Sequence, residues 1–275
     1  METFHPPLSV PERHDPTALD HAINAYVHDD GDALSWENLS ATATLVLTKD
    51  GAPIRSIITG RRHITTGCYA SRKAGRGLPY ESMAERALFM QSEVDPDVVD
   101  YRAQPFRFEF VIDGQKRTYI VDCVRLTGDG TIEVVEVKHD ARSLQDPDYI
   151  AKLQAVRLIC DRVGWRFRVV LQKALRTSRA FDDIVDIQSW RFTGFGQTDV
   201  FCVGAAIDQG ITSLGDLAEA LSRLASPDDP HKAMAVAIAK LKAMVVKRII
   251  RFDLSHPLSL RTKVALVADL SEAVQ

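Results

Sequence analysis

The sequence predicts an α/β domain with a mixed β-sheet, followed by a smaller α+β domain. Between residues 106 and 172, three strand-like runs separated by glycine turns lead into an amphipathic segment and one more strand-like run. Strand, helix and strand after such a meander indicate a mixed sheet with helices on its faces. Between residues 211 and 267, two amphipathic segments precede two β-prone runs. This order is typical of a winged helix.

Length and composition place the chain among ordinary soluble proteins. It has 275 residues, 45% hydrophobic and 26% charged, which is enough for two domains without a disulfide or metal staple. The four cysteines lie far apart with no CxxC pair, so we expect reduced thiols. The apolar runs are too short to cross a bilayer, and the N-terminus lacks a signal-peptide pattern. We therefore expect a cytoplasmic protein.

Three segments are predicted. Residues 1–40 contain four prolines among many polar residues, and we expect an irregular arm. Residues 41–178 form the predicted α/β domain and residues 179–275 the winged-helix-like domain. The α/β domain begins with two short β-prone runs, Ala43–Thr48 and Pro53–Thr59, around an Asp-Gly turn that indicates a hairpin.

Apolar spacing predicts the other elements of the α/β domain. A helix over Glu81–Ser92 ends before Asp95-Pro96. The three strand-like runs are read as an antiparallel meander, and the helix after them ends at Gly164. In order, the predicted meander, helix and last strand are Phe106–Ile112, Arg117–Leu126, Thr131–Lys138, Asp148–Val163 and Phe167–Gln172.

Two helices and a hairpin are predicted in the C-terminal domain. Thr212 or Ser213 caps the first helix, and a second follows a polar turn, with Lys232, Lys240 and Lys242 outside its apolar face. The apolar faces comprise Leu214, Leu217, Leu221 and Leu224 in the first helix, and Met234, Ile238, Leu241 and Val245 in the second. The β-prone runs are Val246–Leu254 and Leu258–Val267.

Net charge alone does not point to nucleic acid, because 34 Lys and Arg stand against 37 Asp and Glu. The distribution of charge along the chain is more informative. Residues 61–80 contain five basic and no acidic residues, and residues 231–275 contain eight basic and three acidic ones. Two basic zones in an acidic protein are a modest indication of a polyanionic partner. The alternative is solvated surface with ion-pair partners elsewhere in the chain.

One group of charged residues points to chemistry. Glu136 and Lys138 share a strand face with Ile132 and Val134, and a hairpin would bring Asp122 beside Glu136. Charges inside apolar strands are costly unless they are paired or liganded. Two carboxylates suit Mg²⁺, with Mn²⁺ as a substitute, and Lys138 suits orientation of a water and stabilisation of charge on phosphorus. The alternative is a structural ion-pair network on a sheet face.

Four pieces of the chain, in order, carry a family resemblance. They are Thr66-Gly67 with Ser71-Arg72-Lys73, then Tyr80–Glu85, then Asp95–Val99 leading to Gln104-Pro105, and finally Asp122 with Glu136-Val137-Lys138. From about residue 66 to 172 the chain resembles the TnsA family of transposon-end endonucleases, which have a restriction-endonuclease-like PD-(D/E)xK core. The resemblance implies a third acidic ligand on the helix. Glu85 matches it, Glu81 competes one turn earlier, and either is equally a helix N-terminal charge.

The sequence departs from the family pattern at two positions. Val121 stands where proline usually precedes the aspartate, and Cys123 stands where an aromatic residue usually follows. Neither side chain is a ligand, so the resemblance still implies a complete site. That site would be catalytic through Glu85, Asp122, Glu136 and Lys138, and the three carboxylates would bind the metal.

The resemblance implies an Mg²⁺-dependent DNA endonuclease that hydrolyses one strand at transposon ends. Its partners would be DNA, a DDE-type transposase and an ATP-dependent transposition regulator, with nucleoid association on DNA and no membrane. The residues expected to contact DNA or a partner are Arg72, Lys73, Gln104, Lys240, Lys242, Lys247 and Arg248. The alternatives are a stand-alone defence or repair nuclease with the same core, and a non-catalytic DNA-binding or assembly protein that acts through its winged helix.

Overall fold

The computed structural model describes residues 19, 23, 35–36, 41–48, 52–54, 65–112, 114–224 and 229–267. The chain divides into two compact units. The first unit contains the described residues up to Ser92 and Asp97–Ser178; the second contains Glu93–Pro96 and the described residues from Arg179 onward. Among the described residues, no helix has the length and apolar character needed to span a membrane.

The elements are numbered in chain order. The strands are β1 Ser35–Trp36, β2 Ala41–Thr42, β3 Thr44–Leu47, β4 Gly67–Ala70, β5 Gly77–Tyr80, β6 Val98–Ala103, β7 Phe106–Ile112, β8 Gln115–Ile120, β9 Cys123–Thr127, β10 Ile132–Lys138, β11 Arg166–Leu171, β12 Ile250–Phe252 and β13 Val264–Leu266. The helices are α1 Met83–Val94, α2 Pro147–Arg162, α3 Gln172–Arg176, α4 Phe181–Ser189, α5 Gln197–Asp208, α6 Leu214–Ser222 and α7 Pro230–Val246, with a 3-10 helix over Ala141–Leu144.

The main sheet of the first unit has the strand order β11-β10-β9-β6. Strands β10 and β11 are parallel and joined through α2, whereas β9 pairs antiparallel with both β10 and β6. A parallel pair needs a crossover, and the periodic segment after β10 supplies the helix that makes it. Asp146 caps α2 and Pro147 occupies its first turn. The mixed α/β sheet expected from the sequence is therefore present.

A bend in a long antiparallel pair corrects the predicted meander. The predicted strand Arg117–Leu126 is two strands, β8 and β9, interrupted at Val121-Asp122. Strand β8 pairs with β7 in a separate three-stranded sheet of order β3-β7-β8, and only β9 pairs with β10. Backbone hydrogen bonds from Gln104 N to Asp122 O and from Val121 N to Phe106 O connect the two sheets across the bend. The ladder continues through the bend while its direction changes.

The core of the first unit lies among the two sheets and α2. Its buried residues include Phe106, Phe108, Val134, Val156, Ile159 and Trp165. Leu19 and Ile23 belong to the same core and are helical, so the prediction of an irregular arm is wrong at these two positions. The rest of the predicted arm apart from β1, the predicted turn at 49–51 and residues 55–59 of the next run lie outside the described residues.

The second unit has its own core beneath helices α4 to α7. Ser213 caps α6 by accepting a hydrogen bond from Asp216 N, and Asp229 caps α7. Strands β12 and β13 pair antiparallel, and an isolated bridge joins Ser213 to Lys263. The order is therefore helix α5, bridge, α6, α7 and hairpin. Helices α4 and α5 were not predicted, and the hairpin strands are three residues each, shorter than the predicted runs.

Two predicted positions on the C-terminal helices are corrected. Leu224 lies beyond the end of α6 and is exposed, although it was placed on the apolar stripe. Lys242 was placed outside the apolar face of α7 but is buried, and its ammonium lies 2.7 Å from Asp186 Oδ2. Helix α4, which carries Asp186, covers the lysine. The spacing of apolar residues in α7 alone does not predict that α4 buries this lysine.

Neighbouring residues of α2 provide a test of the core. Ile159 is fully buried and Leu158 is 44% exposed. We expect Ile159→Ala to lower the free energy of unfolding by about 2–5 kcal/mol, because it leaves a cavity in a close-packed interior. Leu158→Ala is the matched control, with an expected change within about 0.5 kcal/mol. Urea unfolding followed by tryptophan fluorescence measures both, and equal losses would contradict the described packing of α2.

Candidate active site

Asp122 lies in the bend between β8 and β9. The pairing of Cys123 with Val135 runs up to this point, which brings Asp122 beside Glu136 on the adjacent strand. Its Oδ2 accepts a hydrogen bond from the backbone N–H of Val137 at 2.8 Å. The bend releases Asp122 from the strand, and this hydrogen bond holds its carboxylate at the end of β10.

Glu136 is the most heavily contacted carboxylate of the site. It is buried, with 3% of its side chain exposed. Its Oε1 accepts a hydrogen bond from the Tyr149 hydroxyl at 2.5 Å and lies 2.5 Å from Lys138 Nζ, and its Oε2 accepts from the Tyr119 hydroxyl. The Lys138 ammonium also lies 4.6 Å from the centre of the Tyr149 ring. Three donors therefore converge on Glu136, and a carboxylate has about four acceptor positions.

Electrostatic strain is concentrated on Asp122. Burial raises its pKa well above the ordinary value, and the charges of Glu136 and Glu85 raise it further, while the Val137 hydrogen bond and Lys138 act in the opposite direction. Burial and the Glu136 charge also raise the pKa values of Tyr119 and Tyr149. Both tyrosines therefore stay protonated at neutral pH and donate to Glu136. Two neighbouring carboxylates held in low dielectric are typical of a cation or proton site.

Glu85 combines proximity to Asp122 with a capping role. Its Oε2 accepts from Glu81 N at 2.9 Å and its Oε1 from the Ser82 hydroxyl at 3.0 Å, while the Ser82 oxygen accepts from Glu85 N. This reciprocal arrangement stabilises the start of α1. Glu81 instead accepts a hydrogen bond from Gln104 Nε2 at 3.3 Å. Of the two glutamates, Glu85 is the one whose charge raises the pKa of Asp122.

The donor set fits a hard divalent cation through two residues, not three. Within the described residues, no group of three or more His, Cys, Asp and Glu side chains is arranged to hold a metal ion, and the set of Glu85, Asp122 and Glu136 stays a prediction. Among the same residues, Asp122 Oδ1 has no hydrogen-bond donor. Mg²⁺ commonly binds through one or two carboxylates and completes its shell with water and substrate phosphate. The Asp122 and Glu136 pair meets that requirement.

Two predicted contact residues of the first unit have internal roles. Lys73 is buried, and its ammonium donates to Ser92 O at 3.0 Å in the last turn of α1. A cation at that end is favourable for the helix. Gln104 is also buried and has a positive φ of 46°; its backbone bonds with Asp122 and Ile54 support that strained conformation. Neither side chain forms an exposed contact surface, and the prediction is corrected for both.

Arg72 is half-buried in the turn between β4 and β5. In the second unit, Lys240 Nζ lies 2.8 Å from Asp199 Oδ1, and Lys242 is buried against Asp186 as described. Arg248 donates through Nε to Pro96 O at 2.7 Å, and Lys247 is half-buried at the end of α7. Much of the basic charge predicted to face DNA is thus used inside its own unit.

A comparison with protein families finds a match over the segment that carries Asp122 and Glu136. Residues 95–172 match the family of TnsA-like endonucleases, N-terminal domain. The predicted resemblance to TnsA is confirmed over this segment. No curated protein matches the chain. The matched TnsA-like segment includes Asp122, Glu136 and Lys138, whereas Glu85 lies before its start.

The sequence pattern did not reveal the two tyrosines that contact Glu136. Tyr119 comes from β8 in the neighbouring sheet, and Tyr149 comes from the first turn of α2. Tyr119 shares an alternation face with Arg117 and Val121, so the pattern alone indicated only a core position. The one available signal was its place three residues before Asp122. Tyr149 lies four residues before Leu153 at an apolar position of the helical spacing, so the sequence pattern does not reveal the role of its hydroxyl.

The raised pKa of Asp122 predicts a gain in stability on neutralisation. A carboxyl group whose folded pKa lies above its unfolded value stabilises the fold at low pH and loses that contribution as pH rises through the folded pKa. Asp122→Asn removes this penalty and keeps an acceptor for Val137 N. We expect metal-free Asp122→Asn to melt several degrees above wild type at pH 7, with a difference that shrinks toward pH 4. Differential scanning fluorimetry from pH 4 to 8 measures it.

Asp129 provides a control of opposite sign. Hydrogen bonds from Thr127 and Thr131 hold its pKa below the ordinary value, so its ionised form stabilises the fold at neutral pH and that contribution is lost in acid. Asp129→Asn should gain no stability at pH 7. A melting temperature for Asp122→Asn at or below that of wild type across the range would contradict the strained carboxylate pair.

Proposed function

We propose that this chain is a metal-dependent DNA endonuclease of the TnsA type, which hydrolyses one strand at a transposon end. The observation that carries the proposal is the strained pair of Asp122 and Glu136 beside Lys138, inside the segment that matches the TnsA-like family. A DDE-type transposase would cut the other strand, and an ATP-dependent regulator would control the assembly.

Each residue of the site has a separate role in this proposal. Asp122 and Glu136 would hold Mg²⁺ or Mn²⁺, and Glu85 would join them only by giving up its capping hydrogen bonds. When bound, the ion polarises the phosphodiester and lowers the pKa of a bound water. Lys138, fixed between Glu136 and the Tyr149 ring, stabilises negative charge that develops on the phosphate. Tyr119 and Tyr149 keep the Glu136 carboxylate in one orientation.

The alternative of a purely structural ion-pair network is less well supported. A structural ion-pair network stabilises a protein most when each buried carboxylate faces a cation. For Asp122, however, the neighbouring charge with the largest effect on the pKa is that of Glu136, another carboxylate. Lys138 forms its ion pair with Glu136. A bound cation would relieve the remaining repulsion between Asp122 and Glu136. That repulsion does not stabilise the fold, so a purely structural role does not explain it.

For the second unit we propose a winged helix that binds DNA. The order α5, bridge, α6, α7 and β-hairpin supports this, and the isolated bridge between Ser213 and Lys263 connects the start of α6 to the residue before β13. In helix-turn-helix proteins the N-terminal residues of the second helix contact base edges. His231 and Lys232 are exposed at that end of α7, and Arg261 and Lys263 are exposed in the hairpin connection.

A partner requirement follows from charge. A sequence-specific nuclease acting alone needs many phosphate contacts, but the chain has a net charge of −3 and binds much of its basic charge internally. One small DNA-binding module rarely buries enough surface to supply the whole specificity. The proposed transposase would position the transposon end.

The proposal predicts slow cleavage by the chain alone and site-specific cleavage with the partner. Purified protein, Mg²⁺ and a plasmid that carries the element end are incubated with and without the transposase encoded beside it. We expect site-specific cutting only with the partner, and a loss of at least about 100-fold for Asp122→Asn and Glu136→Gln. Rapid specific cutting by the chain alone would favour a stand-alone nuclease. Cleavage unaffected by both substitutions would exclude this site.

Lys138 and Lys152 form a matched pair, because the ammonium groups of both lie over the Tyr149 ring, at 4.6 and 5.1 Å from its centre. Only Lys138 also pairs with Glu136. We expect Lys138→Ala to retain metal affinity by calorimetry and to lose most of kcat, since its role lies in the transition state. Lys152→Ala should cleave like wild type. Equal rates for the two variants would remove Lys138 from the mechanism.

Helix α7 offers a second matched pair for the DNA-binding unit. Lys232 is exposed, whereas Lys242 is buried against Asp186. We expect Lys232→Ala to weaken DNA binding by the full chain and reduce its salt dependence, with little change in melting temperature. Lys242→Ala should lower the melting temperature, because it leaves Asp186 without its cation. Fluorescence anisotropy and thermal melting distinguish these outcomes, and the reverse pattern would contradict the proposed DNA-facing side.

A further inference from the structure

A pocket opens at the edge of the main sheet where β10 and β11 end. The two strands are parallel, and Lys138 pairs with Leu171 as the last residues of their strands. The next residues, His139 and Gln172, are therefore neighbours, and His139 Nδ1 lies 2.6 Å from Gln172 Oε1. The pocket begins at the residue that follows Lys138, on the same sheet edge as the proposed active site.

The lining of this pocket is polar and basic. Its volume is about 440 Å³, and no acidic residue lines it in the part of the chain that the structure describes. The lining residues are His139, Gln172, Lys173, Arg176 and Thr177. The basic and hydroxyl groups among these side chains favour an anion that accepts several hydrogen bonds.

Helix α3 presents the two cations of the pocket from a fixed position. Lys173 and Arg176 lie three residues apart, so their side chains occupy one face of the helix. Leu175 between them is buried, and its carbonyl accepts a hydrogen bond from Gln91 Nε2 at 2.9 Å. The Thr177 hydroxyl and N–H both donate to Lys173 O and close the last turn. The backbone that carries the cations is therefore anchored to α1.

These two cations differ from most others of the chain in how they are used. Within the described residues, neither Lys173 nor Arg176 forms an ion pair or a side-chain hydrogen bond, and both are exposed. By contrast, Lys138, Lys240 and Lys242 each have a carboxylate partner within 2.8 Å. Two unpaired cations at one pocket leave a local positive charge that the fold does not neutralise.

We propose that this pocket binds a phosphate of the DNA strand, next to the phosphate that is hydrolysed at Asp122, Glu136 and Lys138. This inference rests on the proposed nuclease function and extends its substrate contact. The Arg176 guanidinium matches two phosphate oxygens at once, and Lys173 adds a point charge. Phosphate contacts fix the register of a nucleic acid on a protein. The pocket would thus set which phosphodiester lies at Lys138.

The test compares two double variants that remove the same charge from the first unit. Lys173→Ala with Arg176→Ala removes the pocket cations. Lys116→Ala with Arg157→Ala is the control, since those side chains are 74% and 71% exposed and lie in other elements. Binding of a 30-base-pair duplex is measured by anisotropy at several salt concentrations, in the Asp122→Asn background. Cleavage constants are measured with Mg²⁺ and the partner transposase, and circular dichroism verifies folding.

We expect the pocket variant to reduce the slope of log K against log salt by about 2, because two phosphate contacts are lost. Its KM should rise about tenfold with kcat within about twofold, and the control should match wild type in both. An unchanged slope and KM, or an equal change in the control, would overturn the phosphate pocket. If wild type fails to cleave under any condition, the nuclease proposal fails, and the binding slopes of the inactive background still decide the pocket.

Discussion

The hydrogen bond from the Val137 N–H to Asp122 Oδ2 is the interaction on which the site depends. The antiparallel pair bends at Gln104 and Asp122, and without the bend Asp122 would be an ordinary strand residue with its carboxylate on one sheet face. The bend turns the carboxylate toward the end of β10, and the Val137 amide holds it there. A second carboxylate, Glu136, occupies the same end because it lies one residue before that amide.

At the Asp122 and Glu136 pair, the arrangement that suits cation binding lowers the stability of the fold. Desolvation and the neighbouring charge of Glu136 raise the pKa of Asp122, and so the cost of ionising it in the folded protein. Three donors, Tyr119, Tyr149 and Lys138, contact Glu136 directly, whereas Asp122 accepts one hydrogen bond, from Val137 N. The resulting asymmetry leaves one carboxylate satisfied and the other strained. A site that binds a cation benefits from this arrangement, since the strain is relieved only when the cation is present.

Sequence reasoning found what depends on local pattern. The α2 crossover, the strand after it, a cap at Thr212 or Ser213 and the pairing of β9 with β10 all follow from periodicity, turn residues and capping chemistry. The pairing of β9 with β10 sufficed to bring Asp122 next to Glu136. It missed what depends on contacts far apart in the chain. Alternation could not show that Arg117–Leu126 bends between two sheets, nor that Tyr119 from the other sheet reaches Glu136. The short helices α4 and α5 lack the long apolar stripe that made α2 recognisable.

The same limit explains the corrected contact residues. A run of basic residues in a sequence shows the charge but not which groups neutralise it. Lys73 donates to the carbonyl of Ser92 at a helix end. Lys240 pairs with Asp199, and Lys242 pairs with Asp186. A polyanion binds to the surplus charge, the basic side chains that form no ion pair within the folded protein. Lys173 and Arg176 carry that surplus although they lie in no basic zone of the sequence, and they lie where the two parallel strands end. Because that edge also carries Lys138, the surplus charge and the strained carboxylates lie at the same edge of the sheet, where one DNA strand would meet both.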